Sequence, residues 1–255
     1  MPPQSIDEVL DRLDRIITDA RRTDDPLGYF AALYRDVTAR VASTIEDGGF
    51  QDGPRMERLD VVFANRYFEA LEARGPGAGP PRAWQRTFAA ADRWRPLILQ
   101  RLLLGMNAHI NLDLGIAAVE TASDSGLQDL KADFMRINQI LGSMVEAVQR
   151  RLARVSPWMG VLDHLGGGID EAISNFSLVR ARRDAWSFAT RLASLEGQRR
   201  RQVIEAKDRA TARRTAAILR PGGVLLAPVL VAIRLRETSD VASVIAALSR
   251  TSPAA

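Results

Sequence analysis

The sequence predicts an all-α fold, a single multi-helix bundle around a buried central helix that carries polar side chains. Apolar residues recur at three- and four-residue spacing in nearly every segment, and no stretch sustains two-residue alternation. A helix-length apolar run at 102–119 holds Asn107, His109, Asn111 and Asp113 at every second position. The chain has 255 residues, 46% of them hydrophobic, enough for one large core. It is read as one domain over 1–255, with 1–5 and 250–255 as flexible tails. No repeat at a fixed period suggests a helical solenoid.

Each helix has its own signal. Ile6, Val9, Leu10, Leu13, Ile16 and Ile17 mark the first amphipathic helix, and Phe30, Leu33, Tyr34, Val37 and Val41 the second. Gly48-Gly49 and Asp52-Gly53-Pro54 break the chain before a third helix over 56–73. The glycine- and proline-rich tract 75–81 is the clearest loop. A short helix follows over 84–92, and Arg95-Pro96 is expected to open the central helix with proline in its first turn. A long amphipathic helix is expected over 127–155, interrupted afterwards by Pro157 and Gly166–Gly168. The last two segments are 169–219, broken near Gly197, and 224–248.

Composition excludes several functions. There is no cysteine, hence no disulfide framework, thiolate zinc site or cysteine nucleophile. The net charge is +4, and arginine supplies nearly all of the 35 basic residues. They cluster at 180–183, 198–201 and 209–214, but acidic residues are interspersed and few aromatics accompany them. Nucleic acid is therefore not the expected partner, because charge is its only footprint. The longest uninterrupted apolar stretch, 222–233, is short of the ~20 residues of a membrane span and contains Pro228, so it reads as a buried helix. The polar N-terminus lacks the pattern of a signal peptide, and a cytoplasmic protein is expected.

The polar residues of the apolar segments are the candidate site, since each costs roughly 1–3 kcal/mol if buried without a partner. At 100° per residue His109 and Asp113 share one side of the central helix, and Asn107 and Asn111 share nearly the opposite one. On the third helix Asp60 falls with Ala64, Tyr67 and Leu71 on the apolar face, while Asn65 and Arg66 flank the other half. Asp133 and Asn138 are set among apolar residues of the long helix. His164 beside the glycine turn reads as a loop histidine. Trp84 and Trp94 bracket the approach to the central helix, where they pack or wall an apolar pocket.

The strings Leu59-Asp60-Val61-Val62-Phe63-Ala64-Asn65-Arg66-Tyr67, Asn107-Ala108-His109-Ile110-Asn111-Leu112-Asp113-Leu114 and Asp133-Phe134-Met135-Arg136-Ile137-Asn138 resemble a bacterial helical family catalogued as domain of unknown function 5995. The resemblance covers about residues 28–248. It implies an all-helical bacterial domain and supplies no catalytic roles.

Two functions are open at this level. In the first, the chain is a small-molecule enzyme doing general acid–base chemistry of hydrolase, lyase or cyclase type. His109 titrates nearest neutrality, and Asp113 or Asp60 orients it. Asn107, Asn111, Arg66, Asn65, Asp133 and Asn138 then hold a polar substrate or developing negative charge. No cofactor is expected. A divalent metal on His109, Asp113 and Asp60 is the less favoured variant, because the ligand types fit and their number is short. No Gly-x-Ser-x-Gly motif offers a serine nucleophile. In the second, the same residues form a register-fixing network in a non-catalytic ligand-binding or structural module. A water-filled pocket reaching His109 favours the enzyme or a small-molecule binder, and a sealed network favours a structural role.

Overall fold

The computed structural model describes residues 1–75, 77, 79–122, 126–156, 178–221 and 226–249. Among these residues there are helices and no strands. Helix α1 spans Ile6–Thr23, α2 Gly28–Glu46, α3 Gly53–Glu72 and α4 Arg82–Ala91. The central helix comprises α5 (Ile98–Ala108), a π-helical turn (His109–Asp113) and α6 (Leu114–Thr121). Beyond it lie α7 (Lys131–Val155), α8 (Leu178–Ala193), α9 (Gly197–Leu219), α10 (Ala227–Arg234) and α11 (Val241–Leu248).

The helix starts follow from side chains that accept otherwise orphaned amides. Ser5 caps α1 by accepting from Glu8, Asp52 caps α3 by accepting from Arg55, and Asp240 caps α11 by accepting from Ser243. Asp208 of α9 accepts from the Arg82 and Ala83 amides, so it caps α4 from a different helix. At the start of α5 the Gln100 side chain accepts from the Leu97 amide at 2.9 Å. The central helix thus begins two residues after Pro96 rather than around it. Gly197, where the chain turns into α9, has φ +53°, a backbone conformation that glycine adopts without strain.

Helix α5 packs on α2, α4 and α9, the π turn on α3, α8 and α9, and α6 on α3 and α8. This position explains an apolar helix from Ile98 to Thr121 long enough to cross a membrane: 89% of its most apolar window is buried inside the bundle. Two glycines permit the close approach. A Cβ on Gly105 would lie 2.5 Å from the Phe30 ring, and one on Gly115 would lie 2.8 Å from the Ala185 carbonyl oxygen of α8. Helix α11 closes the bundle against α1, α2 and α7. There Arg151 of α7 pairs with the buried Asp36 of α2 and donates to the Leu248 carbonyl at 2.9 Å.

Two expectations need correction. The segment 224–248 is not one helix. Pro228 starts α10 in its first turn, α10 stops at Arg234, and Asp240 caps a new helix. Nor is the part of 222–233 that falls in α10 buried: within α10 only Ile233 is, and Val231 is 37% exposed. At the other end of the chain, Pro3 is buried and its carbonyl accepts from Asn65 at 3.0 Å. That contact docks the first residues on α3. His164, Trp158 and the Gly166–Gly168 turn lie outside the described residues.

Candidate functional site

His109 opens the π turn, where one extra residue per turn widens the helix, a distortion frequent at functional sites. Its ring is 2% exposed and enclosed by aromatics. Phe63 of α3 stacks flat on it, with centroids 3.6 Å apart and planes 7° from parallel. Tyr34 meets it edge-on at 4.7 Å, and Phe30, Tyr67 and Trp84 stand at about 6 Å.

Three groups converge on the Asp113 carboxyl. His109 Nδ1 lies 3.2 Å from Oδ2, Trp84 Nε1 donates to the same oxygen at 2.8 Å, and the Arg66 Nε stands 3.7 Å from Oδ1. The indole N–H and the guanidinium both face the Asp113 carboxylate, which can only accept. The proton between Asp113 and His109 therefore sits on Nδ1, and Nε2 carries a free lone pair. Burial lowers the His109 pKa from its ordinary 6.5 against the opposing pull of Asp113, so the imidazole is neutral at neutral pH. Its Nε2 is buried and has no hydrogen-bond partner among the described residues.

Asp60 of α3 is the second anomaly. Its Oδ2 is also buried without a partner. Burial, with a smaller push from Glu57, raises its pKa to about 7. The Tyr34 hydroxyl is buried as well, with the Thr38 hydroxyl beside it. Burial first and the Asp60 carboxyl second raise its pKa well above 10, so it stays protonated.

All three residues line one cavity of about 720 Å³. That size falls within the roughly 300–1,000 Å³ typical of ligand pockets. Apart from Tyr34, Asp60, His109, Asn138, Gln149 and Arg182, the described residues that line it are apolar, with Leu33, Leu59, Leu102, Ile137, Leu141 and Val148 among them. Helices α2 and α3 and the central helix supply one side, and α7 and α8 the other.

The opposite face of the central helix is differently occupied. Asn107 donates to the Thr211 carbonyl at 3.1 Å, Asn111 donates to the Asn107 amide oxygen at 3.2 Å, and Arg214 donates to the Asn111 oxygen at 2.6 Å. These bonds lock the helix to α9. Neither asparagine is among the described residues that line the cavity. Two other candidates are also placed elsewhere. Asp133 accepts from the Gln51 and Asp52 amides at 2.8 and 3.0 Å and faces Arg55, so it fixes the turn into α3. Asn65 is spent on Pro3. Arg66 supports Asp113 from behind, bridging it to Glu120 at 3.5 Å.

Of the expected set, then, the cavity gathers His109, Asp60 and Asn138, with Asp113 one bond behind His109. Asp60 makes no hydrogen bond to that pair. Among the described residues no group of three or more His, Asp or Glu side chains is placed to hold a metal ion. Tyr34, Phe63 and Arg182 line the cavity and are residues that sequence patterns leave among ordinary core or surface residues, while Trp84, expected to pack or to wall a pocket, donates to Asp113. The signal available for Trp84 was its place just before the polar helix. For Tyr34 and Phe63 there was none beyond helical spacing.

No curated protein and no solved structure gives a significant match to the chain. A family model described as a family of unknown function, DUF5995, matches residues 6–221. The match takes in α1 through α9, the His109–Asp113 pair and every residue that lines the cavity, and by it the chain belongs to the DUF5995 family.

Proposed function

We propose that the protein is an enzyme acting on a small, mostly apolar molecule by general acid–base chemistry, with His109 as base and Asp60 as acid. The observation that carries this reading is the pair of buried polar atoms without a partner among the described residues, His109 Nε2 and Asp60 Oδ2, on residues that line a single apolar cavity with Tyr34. Each such atom costs roughly 1–3 kcal/mol in a fold that gains nothing from it, whereas a bound substrate would satisfy it.

The roles follow from protonation. Nε2 of the neutral imidazole accepts a proton from a substrate carbon, a hydroxyl or a water. The imidazolium so formed is stabilised by the Asp113 carboxylate, which holds the ring in one tautomer. Asp60, with a pKa of about 7, is partly protonated at neutral pH and gives its proton to a leaving group or a developing anion. The Tyr34 hydroxyl donates a hydrogen bond to the same charge. Elimination, cyclisation and hydrolysis by activated water all need this pair. No resident cofactor is required. A metal on His109, Asp113 and Asp60 is disfavoured because Asp113 already serves Trp84, His109 and Arg66.

The test is an untargeted mass-spectrometric comparison of a small-molecule extract incubated with wild type and with His109→Gln. A compound consumed by the first and spared by the second is the expected outcome. Identical profiles, with His109→Gln folded by circular dichroism, contradict the catalytic role.

A further inference from the structure

Arg182 of α8 stands apart from the basic residues around it. The neighbouring Arg180 and Arg183 are exposed, while Arg182 is 4% exposed and lines the cavity. Its partners are neutral. Nε donates to the Asn138 amide oxygen at 2.8 Å, Nη2 donates to the Phe134 carbonyl at 2.6 Å, and the guanidinium lies 4.5 Å from the Phe134 ring centroid. No carboxylate pairs with it among the described residues, and Nη1 makes no hydrogen bond to them.

A buried charge without a counterion is costly, and proteins normally pair it. Burial lowers the Arg182 pKa to about 9, which still leaves the side chain cationic at neutral pH. The other buried arginines obey the rule: Arg151 pairs with Asp36, and Arg55 with Asp133 and Asp52. Among the described residues that line the cavity Arg182 alone is a permanent cation, and Asn138 holds its guanidinium from the same wall. A planar guanidinium with its fork partly free is shaped for a carboxylate.

We infer that the molecule held in the cavity is a monocarboxylate with an extended apolar body, its carboxylate on Arg182 and its body along the apolar walls. The inference rests on the proposed ligand site and names its substrate class. Arg182 binds and orients, and the groups on the α2–α3 side meet the body of the ligand rather than its acid end.

The test uses the full chain and Nile red, an uncharged fluorescent probe of apolar cavities. Dodecanoate, kept below its micelle concentration, is expected to displace the probe at least tenfold more effectively than dodecanol or methyl dodecanoate. Arg182→Met is expected to bind Nile red as wild type does and to lose that preference. Arg182→Lys, which keeps the charge but not the fork, recovers part of it. Equal competition by acid, alcohol and ester in wild type overturns the carboxylate assignment, and leaves the acid–base reading standing if His109→Gln still abolishes turnover. Retention of the acid preference in folded Arg182→Met overturns the assignment as well. Failure of wild type to bind Nile red or any of the three competitors overturns the inference together with the cavity's role as a ligand site.

Discussion

Asp60→Asn is expected to raise the thermal midpoint at pH 8 and to leave it nearly unchanged at pH 4. The sign comes from linkage. The Asp60 pKa is about 7 in the folded state, against an ordinary value of 3.8. Below pH 4 the carboxyl is protonated both folded and unfolded, so it imposes no penalty. Between pH 4 and 7 the unfolded chain releases the proton while the fold retains it, and stability falls as pH rises. Above pH 7 the full penalty applies, because an ionised carboxylate then sits buried without a partner. A shift of that size corresponds to a few kcal/mol at most, or on the order of 5 °C or more in a chain this long. Asparagine has the shape of the neutral acid and never ionises, so the variant escapes the loss. Melting curves from pH 4 to 8 check this directly. Equal midpoints for variant and wild type at pH 8 would show that Asp60 finds a cationic or donor partner in solution. The same variant is expected to lose turnover, the exchange of stability for function common at active sites.

Asp113→Ala is expected to act in the opposite direction, lowering stability by roughly 3–5 kcal/mol, as when one partner of a buried charged network is removed. The change leaves the Trp84 indole N–H unpaired, strips Arg66 of its inward counterion and frees His109 Nδ1. Circular dichroism melting at neutral pH reads the loss, which at about 2–4 °C per kcal/mol is a shift near 10 °C. Asp113→Asn separates structure from function at this position. Trp84 and His109 share one oxygen, so an amide oxygen in that place still accepts from both, the imidazole proton stays on Nδ1 and most of the stability remains. The neutral amide no longer stabilises the imidazolium formed when Nε2 takes a proton, and turnover is expected to fall by roughly 10²-fold.

The helices were legible in the sequence because periodicity reports which face is buried, and the face it reports for α1, including Val9, Leu13 and Ile17, is the buried one. The His109–Asp113 bond was legible for the same reason, as four residues bring two side chains to one side of a helix. The inward turn of Asp60 followed from its place on the apolar face of α3. What periodicity does not carry is the identity of the neighbour. Asp133 looks like Asp60 on a wheel, yet it meets the Gln51 and Asp52 amides and is satisfied, whereas Asp60 Oδ2 meets none. Asn107 and Asn111 look like a binding pair, and Arg214 and the Thr211 carbonyl of α9 occupy them instead. Arg182 was hidden in a run of arginines, where only the three-dimensional position separates the one buried member from its exposed neighbours. The π turn has no sequence signature at all, because it depends on how α5 and α6 are seated against α8 and α9.

Nitrogen NMR of the imidazoles tests most directly whether His109 presents a free Nε2 lone pair to the ligand cavity. The chain has two histidines, so a histidine-labelled sample gives two ring systems, and His109→Gln assigns them. His109 is expected to be neutral and protonated on Nδ1 at pH 7 to 8, and its Nε2 resonance to move when Nile red or dodecanoate fills the cavity. A His109 ring that is charged at pH 7, carries its proton on Nε2, or is indifferent to saturating amounts of both molecules would contradict that expectation.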